Sequence, residues 1–442
     1  MAISRRRFLQ GVAAATAASP LLSTARLYAA DAAKVVRHAS IGANGQAWSD
    51  IQSFAEHPAF RLVAVADVDS TRVGEAKKKF PDVRVYQDWR ELLKKERKNL
   101  DSISVSTPDH MHGTVAMAAM RQGLPVYCQK PLCATIREVR KLTEYARSHR
   151  VHTQMGIQVS SMPSQLIPEA IVRAGTIGKV KEVHTFCEKG WGDEGLIPPG
   201  ADPVPPTLDW NGWIGVGEER PFKSGVYHPA EWRKRVGFGT GTLGDMACHI
   251  MSPPYRALGL TAPVSVTAFG PPPTRDNWSL NAKVHWVFPG TPLTADKTVD
   301  FWWYDGTERP PDTVLSLVGE RMPRTGSVWV GTEGTLVLPH MDTPYFLVPS
   351  EKFAALTPPS VPTRDHYGEF IDAVLTRQAT PTSGAFHWTG PLTETVLLGT
   401  VAARFHGETL AWDARRMSFK DHKAANAFLE RKPRKGWKQK GL

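Results

Sequence analysis

From residue 35 onward the chain alternates short apolar runs with amphipathic stretches. Residues 35–42 (VVRHASIG) read as a strand that opens into a glycine turn. Residues 60–67 (FRLVAVAD) form a nearly continuous apolar run, which suits a strand whose sheet is covered on both faces. Residues 102–106 and 125–128 are two further short strands. Helical patterns at 70–80, 88–95, 112–122 and 135–150 lie between them, and Gly123 stops the third as a C-terminal glycine does. Strand and helix in alternation predict an α/β domain with a parallel, doubly wound sheet. The later pattern differs. Residues 283–288 and 327–338 read as antiparallel strands, and 365–375 and 391–405 as helices that close a second α/β domain. The proline-rich stretch 197–206 reads as a long surface loop.

In open α/β sheets, ligands bind beyond the carboxyl ends of the strands. Four motifs fall there: Gly42-Ala43-Asn44-Gly45-Gln46-Ala47, Asp67, Thr107-Pro108-Asp109 and Gln129-Lys130-Pro131. The turn departs from G-x-G-x-x-G, with Asn44 at the second glycine and Ala47 at the third. Asn tolerates positive φ better than most residues, and Ala is an accepted third member. Backbone N–H groups at the helix start can hold a pyrophosphate. Asp67 lies 25 positions after Gly42, near the spacing of a carboxylate that binds the adenosine ribose. Such a carboxylate accepts from a 2′-hydroxyl and repels a 2′-phosphate, which favours NAD over NADP. An ordinary turn aspartate is the alternative. Lys130 follows a buried strand and precedes a proline, where it can share a proton with a substrate hydroxyl. Further on, Gly239 to His249 reads as a glycine-led helix start. Asp245 and His249 are four apart on one helical face. A carboxylate there orients the imidazole and raises its basicity, as a base on a secondary alcohol requires. A capping Asp with a core His, or a two-ligand metal site, would look the same. No third ligand is evident, so metal is set aside.

Composition adds a destination. Ser4-Arg5-Arg6-Arg7-Phe8-Leu9 fits a twin-arginine export signal. The apolar run that follows is shorter than the roughly 20 residues that span a bilayer, so residues 1–30 read as a leader and not as a membrane anchor. The expected location is periplasmic or otherwise exported, through the twin-arginine machinery. The net charge of +11 hints at nucleic acid. However, residues 1–30 hold four arginines and no acid, and 431–442 hold six basic residues and no acid. The remaining 44 basic and 43 acidic residues nearly cancel, which argues against a phosphate-binding surface. Cys128, Cys133, Cys187 and Cys248 fit no zinc spacing and read as small buried hydrophobes. The expected layout is a dinucleotide-binding domain at 34–156, a substrate and oligomerisation domain at 157–420, and a solvated basic tail at 421–442.

Together the glycine turn, Ala66-Asp67, Thr107-Pro108-Asp109-His110-Met111-His112, Gln129-Lys130-Pro131-Leu132 and Gly244-Asp245 with His249 resemble the Gfo/Idh/MocA family (glucose–fructose oxidoreductase, inositol dehydrogenase). The resemblance runs from 34 to about 415, and the chain looks most like an exported branch with a Cys-Gln-Lys-Pro motif. It implies a Rossmann domain followed by an open, mostly antiparallel sheet, and homo-oligomers through that sheet. It implies Lys130, Asp245 and His249 as catalytic residues. It implies Gly42, Asn44, Gly45, Gln46, Asp67, Thr107, His112 and Gln129 as cofactor contacts. The family's usual acid before the lysine is Gln129 here, which removes a charge beside Lys130. The second domain is rich in aromatics, whose rings stack on sugar faces; Gln158, Tyr227, Trp232 and Arg233 are the candidate substrate residues. The expected activity is NAD-dependent oxidation of a secondary hydroxyl on a sugar, glycoside or cyclitol. A redox-assisted glycosidase and a non-enzymatic sugar-binding protein are the alternatives. Twin-arginine export carries folded proteins, so the leader and the glycine turn together imply NAD loaded before export, kept, and recycled in place.

Overall fold

The computed structural model describes residues 34–341, 343–377 and 381–442; the expected export signal at 1–30 lies outside them. Six parallel strands form the first sheet: β1 (Val36–Ile41), β2 (Phe60–Ala66), β3 (Arg84–Tyr86), β4 (Ser102–Val105), β5 (Val126–Gln129) and β6 (Thr153–Gly156). Their order, β3-β2-β1-β4-β5-β6, is that of a Rossmann fold with its switch point between β1 and β4. The helices between them are α1 (Gln46–Phe54), α2 (Gly74–Lys79), α3 (Trp89–Glu96), α4 (Asp109–Met120) and α5 (Ile136–Ser148). Local chemistry sets their starts. Asp88 caps α3 by accepting from Arg90 N, and Thr135 with Glu138 closes a capping box on α5.

After α6 (Pro163–Arg173) the chain builds a nine-stranded mixed sheet from β7 (Val180–Cys187), β8 (Ser265–Ala268), β9 (Lys283–Pro289), β10 (Thr298–Asp305), β11 (Gly326–Gly331), β12 (Thr335–Pro339), β13 (Phe346–Val348), β14 (Thr409–Asp413) and β15 (Ser418–Phe419). Only β7 and β10 pair in parallel; the other neighbours are antiparallel. Between β7 and the long helix α8 (Gly241–Ala257), residues 188–240 carry one short helix, α7 (Trp210–Ile214). The remaining helices are α9 (Asp312–Val318), α10 (His366–Thr376), α11 (Phe386–Ala402) and α12 (Lys423–Asn426). Among the described residues no helix is long and apolar enough to cross a membrane.

Four expectations shift. α4 starts at Asp109 rather than 112, and α11 at Phe386 rather than 391. Both are buried nearly all round, so neither has the polar stripe that marks a helix boundary by periodicity. α10 does not close the second domain. Its Phe370, Ile371 and Val374 pack with Val36, Phe54 and Tyr127 behind the first sheet. Nor is the basic tail simply solvated. Trp437 is buried under the Arg90 guanidinium, 4.1 Å from the ring centre. Arg434 donates to the carbonyls of Asn211 and Gly215, and Arg137 pairs with Glu430 at 2.8 Å. All four cysteines are buried and free, as expected.

Candidate active site

The carboxyl ends of β1, β2, β4 and β5 open on one cavity of about 270 Å³. Gly42 follows β1 at φ +102, and a Cβ there would lie 2.6 Å from the Ser106 carbonyl oxygen, so only glycine permits this approach. Gly45, at φ +59, turns the chain into α1. Asn44 is not in the left-handed region; instead its Oδ1 accepts from Gly45 N at 2.6 Å and from Arg72 Nη2 at 3.2 Å. No side chain caps α1, so its first N–H groups stay available to an anion. Asp67 ends β2 and accepts from Ala43 N and Asp69 N. Burial raises its pKa, and those two backbone bonds pull against the rise. His112 of α4 sets its ring nitrogens 2.8 Å from the Thr107 carbonyl and 2.7 Å from that of Pro131, which braces the turns after β4 and β5.

Lys130 lies where this wall meets α8. Its Nζ donates to Asp245 Oδ1 at 2.6 Å and to the Asp245 carbonyl at 2.8 Å. Burial alone would raise the Asp245 pKa, but Lys130 and then Arg233 outweigh it and hold the carboxyl well below the usual carboxylate range. His249 lies one turn further along α8, and burial followed by the Lys130 charge pushes its pKa well below the ordinary histidine value. Its Nδ1 is buried without a hydrogen-bond partner among the described residues. Asp245 therefore does not orient His249, as the four-residue spacing predicted. Its short bond goes to Lys130, and the imidazole is left neutral with a nitrogen open to a proton.

All eight expected cofactor residues line this one cavity, together with Lys130, Asp245, Trp232 and Arg233. Gln158, Tyr227 and His249 do not; His249 is buried on α8 one turn behind Asp245. Gln158 donates to the Tyr127 and Tyr367 hydroxyls behind β5, and Tyr227 is buried among Trp213, Phe222 and Phe238. The 188–240 segment supplies part of the wall, through Gly212, Trp213 and 228–230. It is stitched down by Ser70 N to the Thr207 carbonyl, Asp209 N to the Val68 carbonyl, and a 3.0 Å contact between His228 Nε2 and Asp69.

Residues 36–157, which hold the glycine turn, Asp67 and Lys130, match the profile of the oxidoreductase family, NAD-binding Rossmann fold (Gfo/Idh/MocA). The nucleotide-binding domain belongs to that family. Among curated relatives, the inositol 2-dehydrogenase of Rubrobacter xylanophilus is 27% identical over 154 residues, which are 35% of this chain and 41% of that protein. An alpha-N-acetylgalactosaminidase of Shewanella oneidensis is 27% identical over 156 residues, 33% of this chain and 34% of that protein. The match thus spans less than half the length of these relatives. The fold likeness is wider. An inositol dehydrogenase homolog of Azotobacter vinelandii, solved with NADH and myo-inositol, superposes with a TM-score of 0.56 over 86% of this chain and 98% of that one, at 19% identity.

Within this Gfo/Idh/MocA framework, the residue that sequence reasoning missed is Asp50 on α1. It is fully buried, and its carboxylate accepts from Gln46 Nε2 (2.9 Å), Ser106 Oγ (2.7 Å), Gln129 Nε2 (3.0 Å to each oxygen) and the Tyr367 hydroxyl (2.8 Å). Burial pushes its pKa up, and these donors oppose the shift. Gln46, Ser106 and Gln129 all line the cavity, so this one carboxylate sets three wall residues. Gln129, which stands where the family's usual acid would, donates to a carboxylate that enters from α1. The one available signal was a polar residue four after Gln46 on the face shared by Ala47, Ile51 and Phe54.

Proposed function

We propose that this chain is an exported oxidoreductase that oxidises a secondary hydroxyl of a sugar, glycoside or cyclitol with a retained NAD. One observation carries the reading: eight nucleotide-site residues share a single cavity with the Lys130–Asp245 pair, one helical turn from a neutral His249. The residues present fit NAD. Gly42 and Gly45 make the close turn, the uncapped start of α1 suits a pyrophosphate, and Asp67 suits a ribose diol. When bound, NAD supplies the hydride acceptor.

The protein's own part is to hold and move the proton. The hydroxyl carbon loses a hydride and becomes a carbonyl, and the hydroxyl proton goes to His249. Burial keeps that imidazole unprotonated and ready. Lys130, fixed by two bonds to Asp245, donates to the same oxygen as charge develops on it. Retention is supported by the 188–240 segment, which is stitched over the groove at Val68, Asp69 and Ser70 and clasped from outside by Arg434. The twin-arginine pattern at 4–9 supports export of the loaded, folded protein. A kept cofactor must be returned to its starting state by a second substrate or a later step in the same site.

The named alpha-N-acetylgalactosaminidase among the relatives favours a second reading, a redox-assisted glycosidase. A transient keto group acidifies the neighbouring C–H, the aglycone is eliminated with that proton, water adds across the resulting double bond, and the hydride is returned to the carbonyl. Product analysis separates the two: a stable keto-sugar for the first, a released aglycone with no net oxidation for the second. For either, Lys130→Met and His249→Gln are each expected to lower kcat by about 10²–10⁴-fold with nicotinamide content unchanged. Near wild-type turnover in both variants would defeat the assignment.

A further inference from the structure

The charge around Asp245 exceeds what the reaction needs. Three cations converge on one carboxylate: Lys130 Nζ at 2.6 Å, Arg233 Nε at 3.5 Å and Lys189 Nζ at 3.9 Å. The other acids on the cavity wall are Asp67, beside the glycine turn, and Asp109, which accepts from Thr240 Oγ1 at 2.6 Å and whose burial favours the neutral form. Glu188, beside Lys189 in sequence, is taken up by Arg324 at 2.5 Å. Around Asp245 itself, three cations therefore share one carboxylate. Partly buried cations are costly unless an anion meets them.

Arg233 is also held as a receptor would be. Its guanidinium carbon lies 4.3 Å from the Trp232 ring centre and 5.3 Å from that of Trp191. Nη1 reaches the Ala230 carbonyl at 3.4 Å, and Nη2 has no hydrogen-bond partner among the described residues. The Trp191 indole N–H is buried and likewise unmet there. The buried indole donor calls for a partner. A planar guanidinium fork matches a carboxylate with two parallel bonds.

We propose that the substrate is an acidic sugar, and that Arg233 and Lys189 bind its carboxylate while Lys130 faces the reacting hydroxyl. This rests on the oxidoreductase reading for the chemistry but not for the binding. The test titrates the full-length, nicotinamide-loaded protein with glucuronate and galacturonate, with glucose and galactose, and with a glucose sulfate monoester. Affinity is read by calorimetry and reduction of the bound nicotinamide by near-ultraviolet absorbance. Uronates should bind at least about tenfold more tightly than the neutral sugars, with the gap narrowing as salt rises. Lys189→Ala and Arg233→Lys should each weaken uronate binding by about tenfold, and Lys189→Ala should leave neutral-sugar binding unchanged. Lys189 is about half exposed, so loss of its side chain does not threaten the fold. Equal affinity for uronates and neutral sugars overturns the proposal, as does a sulfate ester that outbinds both uronates. Selective uronate binding without nicotinamide reduction upholds it and defeats the oxidoreductase reading. Reduction by neutral sugars alone does the reverse.

Discussion

At the scale of single residues, the pairing of Asp50 with Gln129 is the sharpest departure from expectation. A carboxylate buried at this depth survives only because four side chains donate to it. Gln129→Glu would set two carboxylates about 3 Å apart, replacing a donor with a like charge. That variant should lose about 2–4 kcal/mol of stability, and Asp50→Asn added to it should recover most of the loss. Chemical denaturation of the two singles and the double provides the cycle; additive losses would rule out the pairing. His249 bears on pH in a defined direction. Its lowered pKa keeps it neutral below the ordinary value of about 6.5, so the acid limb of kcat/KM should fall well under that value. An acid limb near 6.5 would mean a solvated base. Sequence had brought Lys130, Asp245 and His249 onto one short list, because strand-end position and helical spacing are local properties. Which of them bonds to which was not legible, since the Lys130–Asp245 contact spans 115 residues. Asp50 was hidden for the same reason: Tyr367 reaches it from 317 positions away.

At the scale of elements, legibility followed amphipathicity. α3 and α5 have one buried face and a side-chain cap, and both fell within two residues of expectation. α4 and α11, buried nearly all round, did not. The C-terminal end of α3 offers a test of how an element is pinned. Glu96 accepts from Arg84 Nε at 2.5 Å and from the Tyr86 hydroxyl at 2.6 Å, which ties α3 to the edge strand β3. The Arg84 bond, helped by Tyr86, lowers its pKa to about 2. A carboxylate depressed in the folded state stabilises above its unfolded pKa of about 4.3, and that contribution fades as pH falls toward about 2. Glu96→Gln should therefore cost about 1–3 kcal/mol at neutral pH. The difference from wild type should shrink steadily below about pH 4. A gap that is constant with pH would mean the stabilisation is not ionic.

At the scale of the molecule, the two sheets are joined by segments that cross back. α10 completes the packing behind the first sheet, 188–240 walls the nucleotide groove, and the tail clasps that segment through Arg434. None of this follows from local pattern, because each contact pairs an irregular stretch with a distant partner; composition alone made the tail look solvated. If the clasp holds the groove shut, Arg434→Ala should speed the loss of nicotinamide on prolonged dialysis, while the first reduction of bound cofactor stays near the wild-type rate. Unchanged retention would free the tail from that role. The proposed chemistry stands on a kept NAD that a sugar hydroxyl can reduce. The direct measurement is to denature the purified protein and quantify the nicotinamide released, with and without prior exposure to a panel of sugars. Near-stoichiometric NAD(H) is expected, shifted toward the reduced form by at least one sugar. A protein that releases no nicotinamide, and takes none up when it is supplied, would contradict it.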